Sequence, residues 1–182
     1  MGERLFRSPV VRAGLACAVV VSLLALYWFQ PWKLFTDTYV DETVPRVATT
    51  PVTPAPVSAS PTPAADEILS AGEFVTHEHR TTGSAEIHRL ADGSHQLVLR
   101  DLDTSNGPDL RVWLTDQPVV RGTAGWRVFD DGEWVELARL KGNRGNQVYE
   151  LPTSVDPGDF RSVSIWCKRF AVSFGAADLT SA

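Results

Sequence analysis

Ala85-Glu86-Ile87-His88-Arg89-Leu90, then Ala91-Asp92-Gly93-Ser94, then Gln96-Leu97-Val98-Leu99-Arg100-Asp101-Leu102 decide the fold class. Small or apolar residues alternate with polar ones through the first run. A period of two sends alternate side chains to opposite faces of an extended chain. Asp-Gly between the runs supplies the backbone conformations of a tight hairpin turn. The same reading extends outward. Gly72 to Thr76 forms a short strand, Ser105-Asn106-Gly107-Pro108 a turn and Leu110 to Leu114 a strand. Asp130-Asp131-Gly132 turns into Trp134-Val135-Glu136-Leu137, and strands follow over 147–151, 162–167 and 171–174. No window from residue 68 onward carries a helical stripe. Eleven glycines punctuate the domain, mostly between strands. Roughly eight short strands separated by turns imply an all-β fold, a small antiparallel β-sandwich or barrel over 68–179. The core candidates are Phe74, Ile87, Leu97, Leu99, Leu110, Val112, Leu114, Val135, Leu137, Val148, Leu151, Val163, Ile165, Val172 and Phe174. Trp113, Trp134 and Trp166 alternate onto the other face. There they make either a half-buried second layer or an exposed aromatic patch.

The N-terminal third has a different character. Residues 13–29 read AGLACAVVVSLLALYWF, 17 residues without a charge. As a helix this run spans about 26 Å, at the short end of what crosses a bilayer. Gln30, Pro31 and Trp32 extend it toward the interface, and Tyr27, Trp28 and Trp32 sit where an aromatic belt belongs. The expected organisation is a cytoplasmic tail over 1–12 and a transmembrane anchor over 13–32. Arg4, Arg7 and Arg12 precede the run against Glu3 alone, which puts the N-terminus in the cytoplasm and the rest outside. A cleaved signal peptide is the competing reading, but bulky aromatics occupy the place where small residues are wanted. Lipid attachment at Cys17 fits less well, because most of the apolar run follows that residue. Residues 33–67 are expected to be an extracytoplasmic stalk. Six prolines lie between Asp41 and Glu67 among Thr, Ser, Ala and Val. That composition cannot bury a core and favours extended chain. Fully extended, it would hold a domain up to about 80 Å from the bilayer.

Length and charge exclude several classes. A chain of 182 residues with these appendages leaves room for one domain, not a large multidomain enzyme. From Ala71 onward there are 12 Lys+Arg against 16 Asp+Glu, a net charge of −4, so no basic surface for nucleic acid is expected. The two cysteines, Cys17 and Cys167, fall in different compartments, so no intramolecular disulfide is expected.

Three ordered blocks resemble the DM-thirteen domain family, also called the electron-transfer DM-thirteen domain. They are Asn106-Gly107-Pro108-Asp109-Leu110, Leu140-Lys141-Gly142-Asn143-Arg144-Gly145-Asn146-Gln147-Val148-Tyr149-Glu150-Leu151-Pro152, and the run from Val163 through Trp166-Cys167-Lys168-Arg169-Phe170 to Ala177. The resemblance covers about 72–179. It implies a β-sandwich related to the DOMON fold, membrane anchoring in bacterial members, and a redox or electron-transfer role resting on a cysteine. Cys167 occupies that cysteine's position.

Cys167 is therefore the candidate catalytic residue. Its neighbours Lys168 and Arg169 could lower its pKa and favour the thiolate. The competing reading is a buried cysteine acting as a small hydrophobe. The cofactor is left unknown, with haem or a soft metal as the open options, because a thiolate ligates both. His77 and His79 share a strand face at i, i+2, and His88 and His95 lie across a hairpin. Scattered histidines on strands more often face water, so no metal site is assigned. There is no CxxC or CxxCH, and no GxSxG. The 142–147 run, GNRGNQ, lacks the ending of a phosphate-binding loop and reads as a tight turn. Asn146 and Gln147 are expected to brace it against the strand bearing Cys167. Asp130, Asp131, Glu133 and Glu136 gather around a turn and are expected to be solvated, with calcium the lesser alternative. Whether the chain is an enzyme stays open. Two functions emerge: a membrane-anchored redox module, or a non-catalytic module binding an envelope protein or glycan. The expected partners are the lipid bilayer, through the helix, and an envelope redox protein.

Overall fold

The computed structural model of the chain describes residues 9–45 and 66–182. The beginning of the expected cytoplasmic tail, and residues 46–65 of the expected stalk, lie outside the described residues. A single long helix, α1 (Pro9–Phe29), opens the described chain. It starts earlier than the uncharged run and takes in Arg12. No residue of it is buried, and its mean hydropathy over an 18-residue window is 2.2. At about 1.5 Å per residue its length is close to the hydrocarbon thickness of a bilayer, consistent with one membrane-spanning segment. A short 3-10 helix, Pro31–Phe35, follows directly.

The remainder is mostly β. The strands are β1 (Tyr39–Asp41), β2 (Glu67–Thr76), β3 (Thr82–Arg89), β4 (His95–Asp103), β5 (Leu110–Thr115), β6 (Trp134–Arg139), β7 (Arg144–Glu150), β8 (Ser162–Cys167), β9 (Val172–Asp178) and β10 (Thr180–Ser181). They form one sheet in the order β1-β7-β4-β3-β2-β9-β8-β5-β6, with β10 beside β2. All pairings are antiparallel except β1 with β7. β2 is shared between the two halves. Its first part, Glu67–Glu73, pairs with β3, while Phe74–Thr76 pair with β9. The sheet therefore curls into a half-barrel. The inward side chains of both halves, among them Ile87, Leu97, Leu99, Val112, Leu114, Val163, Ile165 and Phe174, meet in one core.

The 85–102 hairpin closes as its sequence requires, with Ile87 opposite Leu97 and His88 opposite Gln96. Val135, Leu137 and Val148, expected in the core, are only half-buried, Leu137 packing against its edge. Along β7 the buried set is Gly145, Gln147 and Tyr149, so the polar-looking residues turn inward and Val148 turns outward. Their polar atoms are satisfied locally, which removes the cost of burying them. Tyr149 Oη donates to Gln147 Oε1 (2.6 Å), Gln147 Nε2 donates to the Gly142 carbonyl (2.8 Å), and the Lys141 N–H donates to Tyr149 Oη (3.1 Å).

A second difference lies in the expected stalk. Its first part packs along the domain. The Thr38 N–H donates to Asn143 Oδ1 (2.7 Å), and the Glu42 N–H donates to the Asn146 carbonyl (3.0 Å). The Lys141 ammonium pairs with Glu42 (2.8 Å). Short extended segments find a sheet edge whenever the exposed N–H and C=O groups are in register.

Candidate functional site

Cys167 ends β8. Strict alternation sends Val163, Ile165 and Cys167 into the core and Trp166 to the outer face. It pairs in register with Leu110 of β5 and Val172 of β9. The sulfur has no solvent exposure. Above it the chain reverses through Lys168-Arg169-Phe170-Ala171, a turn closed by the Phe170 N–H donating to the Cys167 carbonyl (3.2 Å). The Lys168 N–H donates to the Asp109 carbonyl (3.0 Å), which ties this turn to the Asn106-Gly107-Pro108-Asp109 loop. Ala171 adopts a left-handed backbone (φ 47°), a strained conformation for a residue with a Cβ. Arg127, on the loop between β5 and β6, pins the turn. Its Nη1 donates to the carbonyls of both Phe170 (3.0 Å) and Ala171 (3.0 Å).

The electrostatics differ from the sequence expectation. Burial pushes the Cys167 thiol above its ordinary range, and the negative charge of Glu78 adds to that. Backbone N–H groups of Phe170, Asp109 and Arg169 act in the opposite sense, favouring the thiolate, but do not overcome desolvation. The two cations are engaged elsewhere. Lys168 Nζ pairs with Glu136 (3.0 Å), and Arg169 donates to the carbonyls of Tyr27 (3.2 Å) and Trp28 (2.6 Å) at the end of α1. At neutral pH the group is a protected thiol.

The histidines do not converge on the sulfur. Past the end of β2, His77 and His79 part company. The His77 ring lies between Ser173 Oγ (2.9 Å, on Nδ1) and the Val120 carbonyl (3.1 Å, on Nε2), and stacks on Phe129. Ser164 Oγ donates on to Ser173 Oγ (3.0 Å). His79 instead lies over Phe174, with ring centroids 3.9 Å apart. Burial lowers the pKa of both rings. His88 is buried on Glu86 (2.7 Å), so the hairpin does not join it to His95. Among the described residues no three His, Cys, Asp or Glu side chains gather as a metal-holding group. A haem needs a slot beside its axial atom, and a metal needs several converging ligands. The covered sulfur and dispersed histidines fit neither group.

The outer face carries features that the sequence showed only in outline. Trp134, 41% exposed, stacks on Trp113 with centroids 4.0 Å apart and planes 4° apart. Trp113 stacks in turn on buried Trp166 (5.0 Å), and Phe129 meets Trp166 edge-on (6.3 Å). The three tryptophans form a column under the loop between β5 and β6, so both sequence options hold in part. Phe129, fully buried in this layer, sits in a loop and lacked any periodic signal. Glu136 leaves the acidic cluster to join Arg111 (2.6 Å) and Lys168. Desolvation works against its ionised form, but Lys168 and Arg111 hold its carboxyl below the ordinary value.

The glycine-rich loop braces different strands from those expected. Asn146 Nδ2 donates to Asp41 of β1 (2.9 Å), and its Oδ1 accepts from the Asp101 N–H of β4 (2.9 Å). Gln147 serves its own loop. Neither reaches β8.

A family model described as electron transfer DM13 matches residues 73–179, which takes in Cys167, the turn above it and the tryptophan column. No curated protein and no solved structure matches the chain.

Proposed function

Because the chain belongs to the electron transfer DM13 family, we propose that it is a membrane-anchored, extracytoplasmic redox module whose Cys167 reacts when the 168–171 turn opens. The observation supporting this reading is the short turn beside the sulfur, which carries a left-handed alanine and is held by Arg127, by the Asp109 carbonyl and by the contacts of Arg169 and Phe170 with the end of α1. Strain of this kind persists only where surrounding contacts hold it, and it clusters at active sites, ligand clamps and switch regions. Opening would restore water to the thiol and remove the desolvation that keeps it protonated. The Asp109 backbone N–H, which lies outside the turn, then favours the thiolate. The thiolate would attack one sulfur of a partner's disulfide, forming a mixed disulfide and expelling the other sulfur as a thiolate. The Cys167 proton goes to water. The Arg-rich start of the sequence and α1 support an external domain in the cell membrane, with a DOMON-like sandwich as the finer description of the curled sheet and an envelope redox protein as the partner.

Glutathione disulfide tests this. The full chain carrying Cys17→Ser, folded in detergent, is expected to gain one glutathionyl mass on Cys167, and none when Cys167→Ser is added. Labelling that appears only after denaturation would contradict it. That result would favour a recognition module, the second reading, which the flat Trp134–Trp113 pair supports. Such a pair offers a stacking face for a sugar ring or a partner's side chain. In that case Trp134→Ala would abolish the fluorescence change on titration with oligosaccharide.

A further inference from the structure

The end of the membrane helix and the cover of Cys167 are in direct contact. Arg169 donates to the Tyr27 and Trp28 carbonyls, and its guanidinium lies over the Trp28 ring (5.4 Å to the centroid). A cation there satisfies carbonyls that the helix leaves open and complements the negative end of its dipole. Next to it Phe170 stacks on Phe29, centroids 5.6 Å apart. The chain leaving the helix has no slack. Asn106 Nδ2 donates to the Thr36 carbonyl (3.4 Å), and Asn143 holds Thr38 and Asp37 (2.7 and 2.8 Å). Between these anchoring points the 3-10 helix presents Trp32, Leu34 and Phe35 to the outside at 50%, 54% and 88% exposure. These apolar residues are continuous with the exposed surface of α1, and Lys33 sits among them.

We propose that the bilayer surface is itself a binding partner of the folded domain. Trp32, Leu34 and Phe35 lie at the headgroup–acyl boundary, and Arg169 locks the domain over it, so that the end bearing Cys167 faces the membrane. Aromatic and leucine side chains beside cationic ones suit that boundary, where rings bury and charges stay hydrated. The inference rests on α1 being a membrane anchor, and the test separates the two.

The full chain in the Cys17→Ser, Cys167→Ala background is placed in phosphatidylcholine–phosphatidylglycerol nanodiscs. Nitroxides are attached at Val20→Cys in the helix, Phe35→Cys in the collar and Asp92→Cys in the β3–β4 hairpin at the opposite end of the sheet. Relaxation by oxygen is compared with relaxation by a water-soluble nickel chelate. Positions 20 and 35 are expected to favour oxygen, 35 less strongly, and position 92 to favour nickel. If 20 favours oxygen while 35 is as open to nickel as 92, the docking is overturned and the anchor stands. If 20 itself favours nickel, the anchor fails and the docking with it. Adding Arg169→Glu should lower the oxygen-to-nickel ratio at 35 at least twofold and leave 20 unchanged. An unchanged ratio at 35 overturns the role given to Arg169.

Discussion

Arg127 and His77 test the account at the scale of single residues. Arg127 is exposed and makes two hydrogen bonds to the turn over Cys167. Arg127→Ala removes about 0.5–1.5 kcal/mol per bond from the closed turn. Labelling of Cys167 in the folded protein should therefore accelerate at least several-fold, and the urea midpoint should fall by the same free energy divided by the denaturant slope. His77 makes a different prediction. Desolvation of its buried ring outweighs the Val120 carbonyl, which favours the charged form, so its folded pKa lies below the unfolded value of 6.5. The unfolded chain then binds more protons in that range. The stability His77 contributes is fully present above pH 6.5 and is lost as pH falls through its folded pKa. Urea midpoints should drop from pH 7.5 to lower pH, and His77→Gln should flatten that slope. Alternation along Ser162–Cys167 shows which face the sulfur takes, but the choice between a reactive and a buried cysteine stayed open in the sequence. Its protonation was not legible there. Lys168 and Arg169 stand beside it in the chain, yet Glu136 and the helix end claim them across space.

Among the elements, β1 carries the sharpest test. Gly145 has φ 97°, and a Cβ there would strike the Val40 carbonyl of β1. Gly145→Ala is expected to cost at least about 1 kcal/mol through the left-handed backbone alone. It should also detach β1, exposing Tyr39–Asp41 to limited proteolysis while the remaining sheet stays protected. Acid should do the same more gently. Lys141 and the Val148 N–H hold the Glu42 carboxyl below its ordinary 4.5, so this contact is intact above that value and lost as pH falls through the folded pKa. Hydrogen exchange of the β1 amides would report it. β1 was hidden in sequence because three residues beside a proline-rich run carry no periodicity. The β3–β4 hairpin was plain because its alternation and Asp-Gly turn agree. On β7, Tyr149 and Gln147 point inward against a naive reading of polarity, and only the network with Lys141 and Gly142 explains it.

For the molecule as a whole, a curled sheet is threaded so that its thiol-bearing end abuts the helix. Hydropathy foretold an apolar helix, and period-two alternation between turns an all-β domain. Neither foretold that the two touch, since Arg169 and Trp28 are distant in the chain and nothing local links them. Reaction at Cys167 requires the 168–171 turn to open by itself while the sheet stays folded. The rate of Cys167 labelling by a maleimide, measured in the Cys17→Ser chain against urea concentration below the unfolding transition, tests it most directly. A rate nearly independent of urea is the expected result, since opening one turn exposes little surface. A rate that rises with the full denaturant dependence of global unfolding would contradict the account.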